Sequence, residues 1–106
     1  MKEISAQDLK KRMDAGESFR LIDVREVQEY EYARIEGAEL IPLSEFQARY
    51  QAELQPDDDL VIYCHHGMRS AQACMFLASR GYTTLTNLSG GIEDWSVEVD
   101  PNVPRY

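Results

Sequence analysis

The sequence has no long apolar run and little cysteine. No stretch of its 106 residues approaches the length of apolar chain that a membrane-spanning helix requires. Its two cysteines form neither a disulfide framework nor a Cys-x-x-Cys pair, which argues against a small disulfide-bonded scaffold. The first residues carry an acid at position 3 and no apolar core, so we expect no signal peptide and a cytoplasmic location.

Positive charge is scarce as well. The chain has 11 Lys and Arg against 19 Asp and Glu, which gives a formal net charge of -8. Because an acidic surface repels phosphates and acidic lipids, we expect neither nucleic acid nor a membrane as a partner. Hydrophobic residues make up 43% and charged residues 28%, a composition typical of globular proteins. We expect residues 1–106 to form one domain with a single core.

Apolar, β-branched segments alternate with helical patterns along the chain. Strands are predicted at 19–24, 39–41, 60–63 and 84–88, and helices within 5–16, 25–32, 44–54, 70–80 and from 91 onward. This alternation predicts an α/β fold with a mostly parallel central sheet and helices on both faces. Ser44 and Ser70 are predicted to cap the helices that they begin. The tail at 100–106 contains two prolines and is predicted to be extended, and Trp95 is predicted to lie in the core.

Cys64 directly follows the apolar segment Leu60–Tyr63, and a short loop separates it from the helix predicted at Ser70. A thiol at the end of a buried strand and beside a helix N-terminus lies where α/β sheets bind anions. Such a position favours the thiolate, which is the nucleophile. A free cysteine is often only a small buried hydrophobe, but this position favours a catalytic Cys64. A zinc site with His65 and His66 would need three consecutive inward side chains and a further ligand, so none is expected.

The loop after Cys64 is suited to binding an anion, and its candidate site residues are His65, His66, Gly67, Met68, Arg69 and Ser70. Gly67 would let the backbone turn so that successive N–H groups surround the sulfur. Arg69 would add a fixed cation, unless it forms an ordinary surface salt bridge. His65 and His66 either tune the thiolate and contact substrate or are solvated loop residues. Ser70 would also be a hydrogen-bond donor to the sulfur.

Three further polar or reactive residues have other expected roles. Cys74 lies among apolar residues of the helix predicted at 70–80, so packing is its expected role. Asp23 and Arg25 flank the end of another strand and should therefore lie at the same edge of the sheet as Cys64. An ion pair that supports the loop is the first interpretation, and direct contact with substrate is the alternative.

Four groups of residues follow one another in a characteristic order: 21–25, 35–38 with 41–42, 61–70, and 88–91 with Trp95. Each group is a weak signal alone, but their order and spacing together resemble the single-domain rhodanese family of sulfurtransferases over nearly the whole chain. One departure is Ala33-Arg34, which stands where that family usually has Gly-His.

The resemblance implies a rhodanese-like fold and a mechanism. Cys64 would take up a sulfane sulfur as a persulfide, residues 65–70 would cradle it, and Arg69 would be the loop arginine. The donor would be a small anion such as thiosulfate, and the acceptor would be cyanide, a thiol or a protein. No metal or organic cofactor is needed for this reaction. The tail at 100–106 resembles the ends of rhodanese domains attached to enzymes that adenylylate and thiolate ubiquitin-like sulfur carriers, which suggests a sulfur relay.

Two other functions fit the pattern less well. The first is a binding or regulatory module that keeps the fold without turnover, and the intact Cys64, Gly67 and Arg69 argue against it. The second is a small cysteine phosphatase or arsenate reductase. Such enzymes resemble this fold but have a Cys-x5-Arg loop, whereas here the spacing is Cys64-x4-Arg69. The shorter loop resembles the sulfur-transfer type.

Overall fold

The centre of the protein is a five-stranded sheet in which every paired strand is parallel, as seen in a computed structural model that describes residues 1–106. The strands are β1 (Lys2–Ile4), β2 (Arg20–Asp23), β3 (Glu39–Leu40), β4 (Leu60–Tyr63) and β5 (Leu85–Leu88). The helices are α1 (Ala6–Asp14), α2 (Val27–Tyr32), α3 (Phe46–Glu53), α4 (Met68–Ser79) and α5 (Gly91–Glu98), with a 3₁₀ turn at Leu43–Glu45. The α/β class and the parallel sheet predicted from the sequence are confirmed.

The strand order is β1-β5-β4-β2-β3, so β4 is the middle strand. All four of its residues are buried, which explains why it is apolar throughout rather than alternating. Asp23 at the end of β2 pairs in register with Tyr63 at the end of β4. The residues that follow these two strands therefore emerge at one edge of the sheet, where open α/β sheets bind ligands.

Helices cover both faces of the sheet and create two apolar clusters. Successive strand residues point to opposite faces. Ile22 and Ile62 therefore pack in one cluster with residues of α3 and α4. Leu21 and Val61 pack in the other cluster with α1 and α5, and this second cluster includes Trp95. The predictions of helices on both faces and of a core tryptophan are confirmed.

Two predicted helix caps are wrong. Helix α4 begins at Met68 after Gly67, two residues earlier than predicted, so Ser70 lies in the first turn and does not cap it. The reason is that Gly67 takes a left-handed conformation that ends the loop early. The 3₁₀ turn that precedes α3 likewise displaces Ser44 from a capping position. The Ser44 hydroxyl instead donates to Glu26 at 2.8 Å.

The two ends of the chain also differ from prediction. Strand β1 was not predicted, and it forms the edge of the sheet by pairing with β5. The tail is not simply extended, because it turns at Asp100, whose carbonyl accepts a hydrogen bond from the Val103 N–H at 3.1 Å. This turn brings Tyr106 back against the loop that follows β4.

None of the helices combines the length and the apolar character needed to cross a membrane.

Candidate active site

Cys64 lies where β4 ends, and its side chain is only 1% exposed. Its Sγ accepts hydrogen bonds from the backbone N–H of Gly67 at 3.1 Å and of Ser70 at 3.4 Å. The Ser70 hydroxyl also lies 3.4 Å from Sγ. Ser70 therefore holds the sulfur with both its backbone and its side chain. The loop and the first turn of α4 together form a cradle of donors around a single sulfur atom.

Gly67 makes this cradle possible. Its φ is +106°, a conformation that residues with a side chain rarely adopt. A Cβ at this position would also clash with the backbone carbonyl of Ser89, in the turn after β5. The carbonyl of Gly67 is held in turn by the side-chain amide of Asn87 at 3.1 Å. The loop is thus fixed by β5 and can present its N–H groups only because residue 67 is glycine.

The start of α5 supports the other side of the loop. The N–H of Ile92 donates to the Cys64 carbonyl at 2.9 Å, and that of Glu93 donates to the His65 carbonyl at 3.1 Å. Gly91 lies so close beneath the loop that a Cβ there would clash with the His65 carbonyl. These first N–H groups of a helix would otherwise lack partners. Gly90 and Gly91, where α5 begins, thus position the backbone segment that carries the thiol.

The cradle changes the acidity of the thiol. Burial by itself raises the pKa of Cys64, because the charged form loses water. Hydrogen bonds from the hydroxyl and N–H of Ser70 and from the N–H groups of Gly67 and His66 outweigh this effect, so the pKa of Cys64 lies below that of an ordinary thiol. The site therefore favours the nucleophilic thiolate.

Arg69 does not point into the cradle as a free cation. Its two terminal nitrogens donate to the two carboxylate oxygens of Glu29, at 2.7 and 2.9 Å. Glu29 lies in the first turn of α2. The salt bridge that the sequence left open as an alternative is thus present, and it lies at the rim of the loop. The hydrogen bonds from Arg69 lower the pKa of Glu29 to about 2, so the carboxylate stays charged at neutral pH.

Asp23 and Arg25 form a fully buried ion pair, with 2.7 Å between Arg25 Nη2 and Asp23 Oδ2. The ion pair of the first interpretation is therefore present. Arg25 makes no hydrogen bond to residues 64–70 and instead donates to the Ala33 carbonyl at 2.5 Å and to the Tyr106 hydroxyl at 2.9 Å. Arg25 therefore reaches the loop indirectly, through Tyr106, which stacks on His65, and through Glu29, whose carbonyl it also bonds at 3.4 Å.

Tyr106, like Glu29, is a residue near the site that the sequence analysis does not identify. Its ring stacks on His65 with 3.9 Å between centroids and 10° between planes. Its hydroxyl donates to Glu29 Oε2 at 2.7 Å while it accepts from Arg25. Burial raises the pKa of Tyr106 to about 12. No spacing pattern marks this contact, because it depends on the turn of the tail.

The rings of the two loop histidines stack on each other, with His65 half-buried and His66 exposed. Their ring centroids lie 3.9 Å apart, so His65 is sandwiched between His66 and Tyr106. Burial, together with the neighbouring His66, lowers the pKa of His65, which favours its neutral form. Its Nε2 is buried without a hydrogen-bond partner. Met68, in contrast, is 77% exposed at the start of α4.

Cys74 lies one turn beyond the site on α4 and is fully buried. It packs in the same apolar cluster as Ile62 and Leu77, as the sequence predicts. Burial raises its pKa to about 12, because no donor is placed to hold its charged form. The two cysteines are both free, and only Cys64 has the environment of a nucleophile.

A scan against family models matches the rhodanese-like domain over residues 5–98, which includes strands β2 to β5, the cradle and α5. The chain belongs to the rhodanese-like domain family. The resemblance inferred from the motifs is thereby confirmed. The match includes the region of Ala33-Arg34, so that departure does not remove the chain from the family.

Some relatives of this rhodanese-like chain are matched over most of their own length. It is 37% identical over 94 residues to a protein named sulfurtransferase from Allochromatium vinosum, covering 89% of this chain and 87% of that one. The structure of the human single-domain sulfurtransferase TSTD1 superposes with a TM-score of 0.78 at 32% identity, covering 92% of this chain and 97% of the other.

Other relatives are longer than this chain. It is 39% identical over 94 residues to the Bacillus subtilis protein YrkF, covering 89% of this chain but only 50% of YrkF. It spans 38% and 26% of the length of two further relatives, from Arabidopsis thaliana and Mycobacterium tuberculosis. The shared region is therefore one part of several larger proteins.

Proposed function

We propose that this protein is a sulfurtransferase that carries a sulfane sulfur as a persulfide on Cys64. The observation that carries the proposal is the cradle, in which a buried sulfur accepts the N–H groups of Gly67 and Ser70. The names of the relatives from Allochromatium vinosum and human support sulfur transfer as the class of reaction. The donor is a compound such as thiosulfate, and the acceptor is a thiophile such as cyanide, a thiol or a protein.

The first step loads the cysteine. The Cys64 thiolate attacks the outer sulfur of thiosulfate, the S–S bond of the donor breaks, and its electron pair leaves with sulfite. The product is a Cys64 persulfide with one negative charge on its outer sulfur, so three negative charges are present before and after the step. The lowered pKa of Cys64 supports this step because it places the thiol in the form that attacks.

The second step unloads the cysteine. A nucleophilic acceptor attacks the outer sulfur of the persulfide, the persulfide S–S bond breaks, and Cys64 returns as a thiolate. With cyanide the product is thiocyanate, and with a thiol it is a new persulfide. Donor and acceptor therefore bind in turn, which is the logic of ping-pong catalysis. The N–H donors of the cradle stabilise the negative charge on sulfur in both steps, as an oxyanion hole does for oxygen.

We propose that residues 1–106 form the domain that performs this reaction. Two elements outside the family match support this: β1 pairs with the sheet, and Tyr106 packs on the loop after β4. A cytoplasmic setting suits the mechanism, since both thiols are free and a reducing compartment keeps them so. The acidic surface makes nucleic acid and acidic membranes unfavourable partners.

Mass spectrometry of the intact protein after thiosulfate treatment tests the proposal. The wild type and Cys74→Ser should each gain one sulfur atom that cyanide then removes, and Cys64→Ser should gain none. A binding module without turnover would gain no sulfur in any of the three. A phosphatase would instead hydrolyse a generic aryl phosphate, which the proposal expects to remain intact.

A further inference from the structure

Three arginines near the cradle are each paired with a carboxylate. Arg69 is bonded to Glu29 through both terminal nitrogens, and the buried Arg25 is bonded to Asp23. A third arginine, at position 105, is bonded to Glu93. Each of these three pairs is net neutral, so none of the three arginines offers an anion an unpaired cation.

Glu29 is held especially firmly in this arrangement. Its Oε1 accepts from Arg69 and from the Glu26 N–H at 3.0 Å, and its Oε2 accepts from Arg69 and from Tyr106. Four donors thus fix one carboxylate, and the pKa of about 2 keeps it ionised. A substrate anion can recruit Arg69 only by displacing a partner that is already fully hydrogen-bonded. Glu29 therefore opposes the binding of added negative charge.

The electrostatic repulsion that a sulfur donor meets at this site depends on the charge of the donor. Thiosulfate carries two negative charges and approaches a thiolate that already carries one, in a protein with a net charge of -8. Organic thiosulfonates and persulfides carry one charge and present the same kind of outer sulfur. Repulsion between like charges grows with the product of the charges. A site whose loop arginine is already paired therefore penalises the dianion more than the monoanion.

We propose that Glu29 is a specificity-determining residue that, by neutralising Arg69, biases the site against dianionic sulfur donors and towards monoanionic ones. The proposal rests on the proposed function, since it concerns the step that loads Cys64. With a monoanionic thiosulfonate, the Cys64 thiolate attacks the outer sulfur, the donor S–S bond breaks, and a sulfinate leaves with the electron pair. Two negative charges are present before and after this step, against three with thiosulfate. Glu29 acts through Arg69 and touches neither donor.

The test compares two donors on the same variants. The kcat/KM for loading Cys64 is measured with thiosulfate and with methanethiosulfonate, which differ by one charge, in wild type and in Glu29→Gln. Freeing Arg69 should raise the thiosulfate-to-thiosulfonate ratio roughly three- to tenfold. A structural loss alone would lower both rates and leave their ratio unchanged. The matched control is Glu53→Gln, which removes the same charge from another bidentate arginine bridge, on α3, and should leave the ratio at the wild-type value.

A double variant sharpens the test. In Glu29→Gln/Arg69→Gln both charges are gone, so the ratio should return to within about twofold of wild type. A ratio in Glu29→Gln that equals that of Glu53→Gln, or a double variant that matches Glu29→Gln, would overturn the role of Glu29 while sulfur loading continues. If Cys64 gains sulfur from neither donor in any variant, the proposed function itself fails, so the two failures are distinguishable.

Discussion

The two cysteines of this chain are equally buried and chemically opposite. Cys64 is 1% exposed and Cys74 is 0% exposed, yet the pKa of Cys64 is lowered while that of Cys74 is raised to about 12. Burial acts in the same direction on both thiols. The difference lies in the hydrogen-bond donors of the loop after β4 and of the first turn of α4. Cys74, farther along α4, has no such donor. Position at a strand end, rather than burial, decides the direction in which the pKa of each thiol shifts.

Exchanging each thiol for a hydroxyl should give the largest contrast. Cys64→Ser should abolish thiosulfate:cyanide sulfur transfer because a hydroxyl cannot carry sulfane sulfur, whereas Cys74→Ser should keep most of the activity. The second variant should lose roughly 1 kcal/mol of unfolding free energy, since its hydroxyl is buried in an apolar cluster. Steady-state assays and thermal melts measure both effects. Sulfur transfer by Cys64→Ser would contradict the assignment of Cys64 as the residue that carries the sulfur.

Gly67→Ala should have the next largest effect, because it damages the cradle but keeps the thiol. The alanine would have to adopt a φ of +106°, and its Cβ would clash with the Ser89 carbonyl. The loop must therefore move, which takes its N–H groups away from Sγ. We expect transfer to fall by roughly tenfold or more, with a loss of about 1–3 kcal/mol of stability from backbone strain.

The matched control for this variant is Gly81→Ala, at the end of α4. Gly81 also has a positive φ, of +89°, but a Cβ there would meet nothing within 4 Å. It should therefore show strain in a thermal melt without a comparable loss of sulfur transfer. If both variants lost activity equally, general destabilisation rather than the cradle would explain the result.

Ser70→Ala should have a smaller effect. It removes the hydroxyl next to Sγ and keeps the backbone N–H, so the pKa of Cys64 should rise but stay below that of Cys74. A net hydrogen bond of about 1 kcal/mol corresponds to a decrease in transfer of roughly fivefold. Ser79→Ala, near the other end of the same helix, removes a hydroxyl bonded to the Phe76 carbonyl and should leave transfer unchanged. An unaltered rate in Ser70→Ala would mean that the backbone donors suffice.

The sequence predicts Cys64 and the loop around it better than the contacts of Glu29 and Tyr106 at the edge of the site. Cys64, its strand and its loop follow from local pattern, since an apolar run that ends in a loop and a helix indicates a strand end. Ser70 was predicted to contact the sulfur and does so, although the left-handed Gly67 starts the helix too early for it to be a cap. These features depend on neighbours in the chain.

The features that sequence reasoning missed depend on distant contacts. Strand β1 has only three residues, two of them exposed and charged, and it exists because β5 offers it an edge. The bond from Tyr106 to Glu29 joins residues 77 positions apart. The salt bridge of Arg69 likewise joins α4 to α2 over 40 positions. No local pattern encodes such pairs, so Glu29 becomes visible as the partner of Arg69 only in the folded protein, although the sequence left a salt bridge open.

The central claim is that hydrogen bonds in the cradle outweigh burial at Cys64. The most direct measurement is the pH dependence of iodoacetamide alkylation in Cys74→Ser, where Cys64 is the only thiol. A group whose anionic form is stabilised titrates at lower pH, so the midpoint should fall below the value of about 8.5 for a free cysteine. A midpoint at or above that of a free cysteine peptide measured alongside would contradict the account, because burial would then dominate at Cys64 as it does at Cys74.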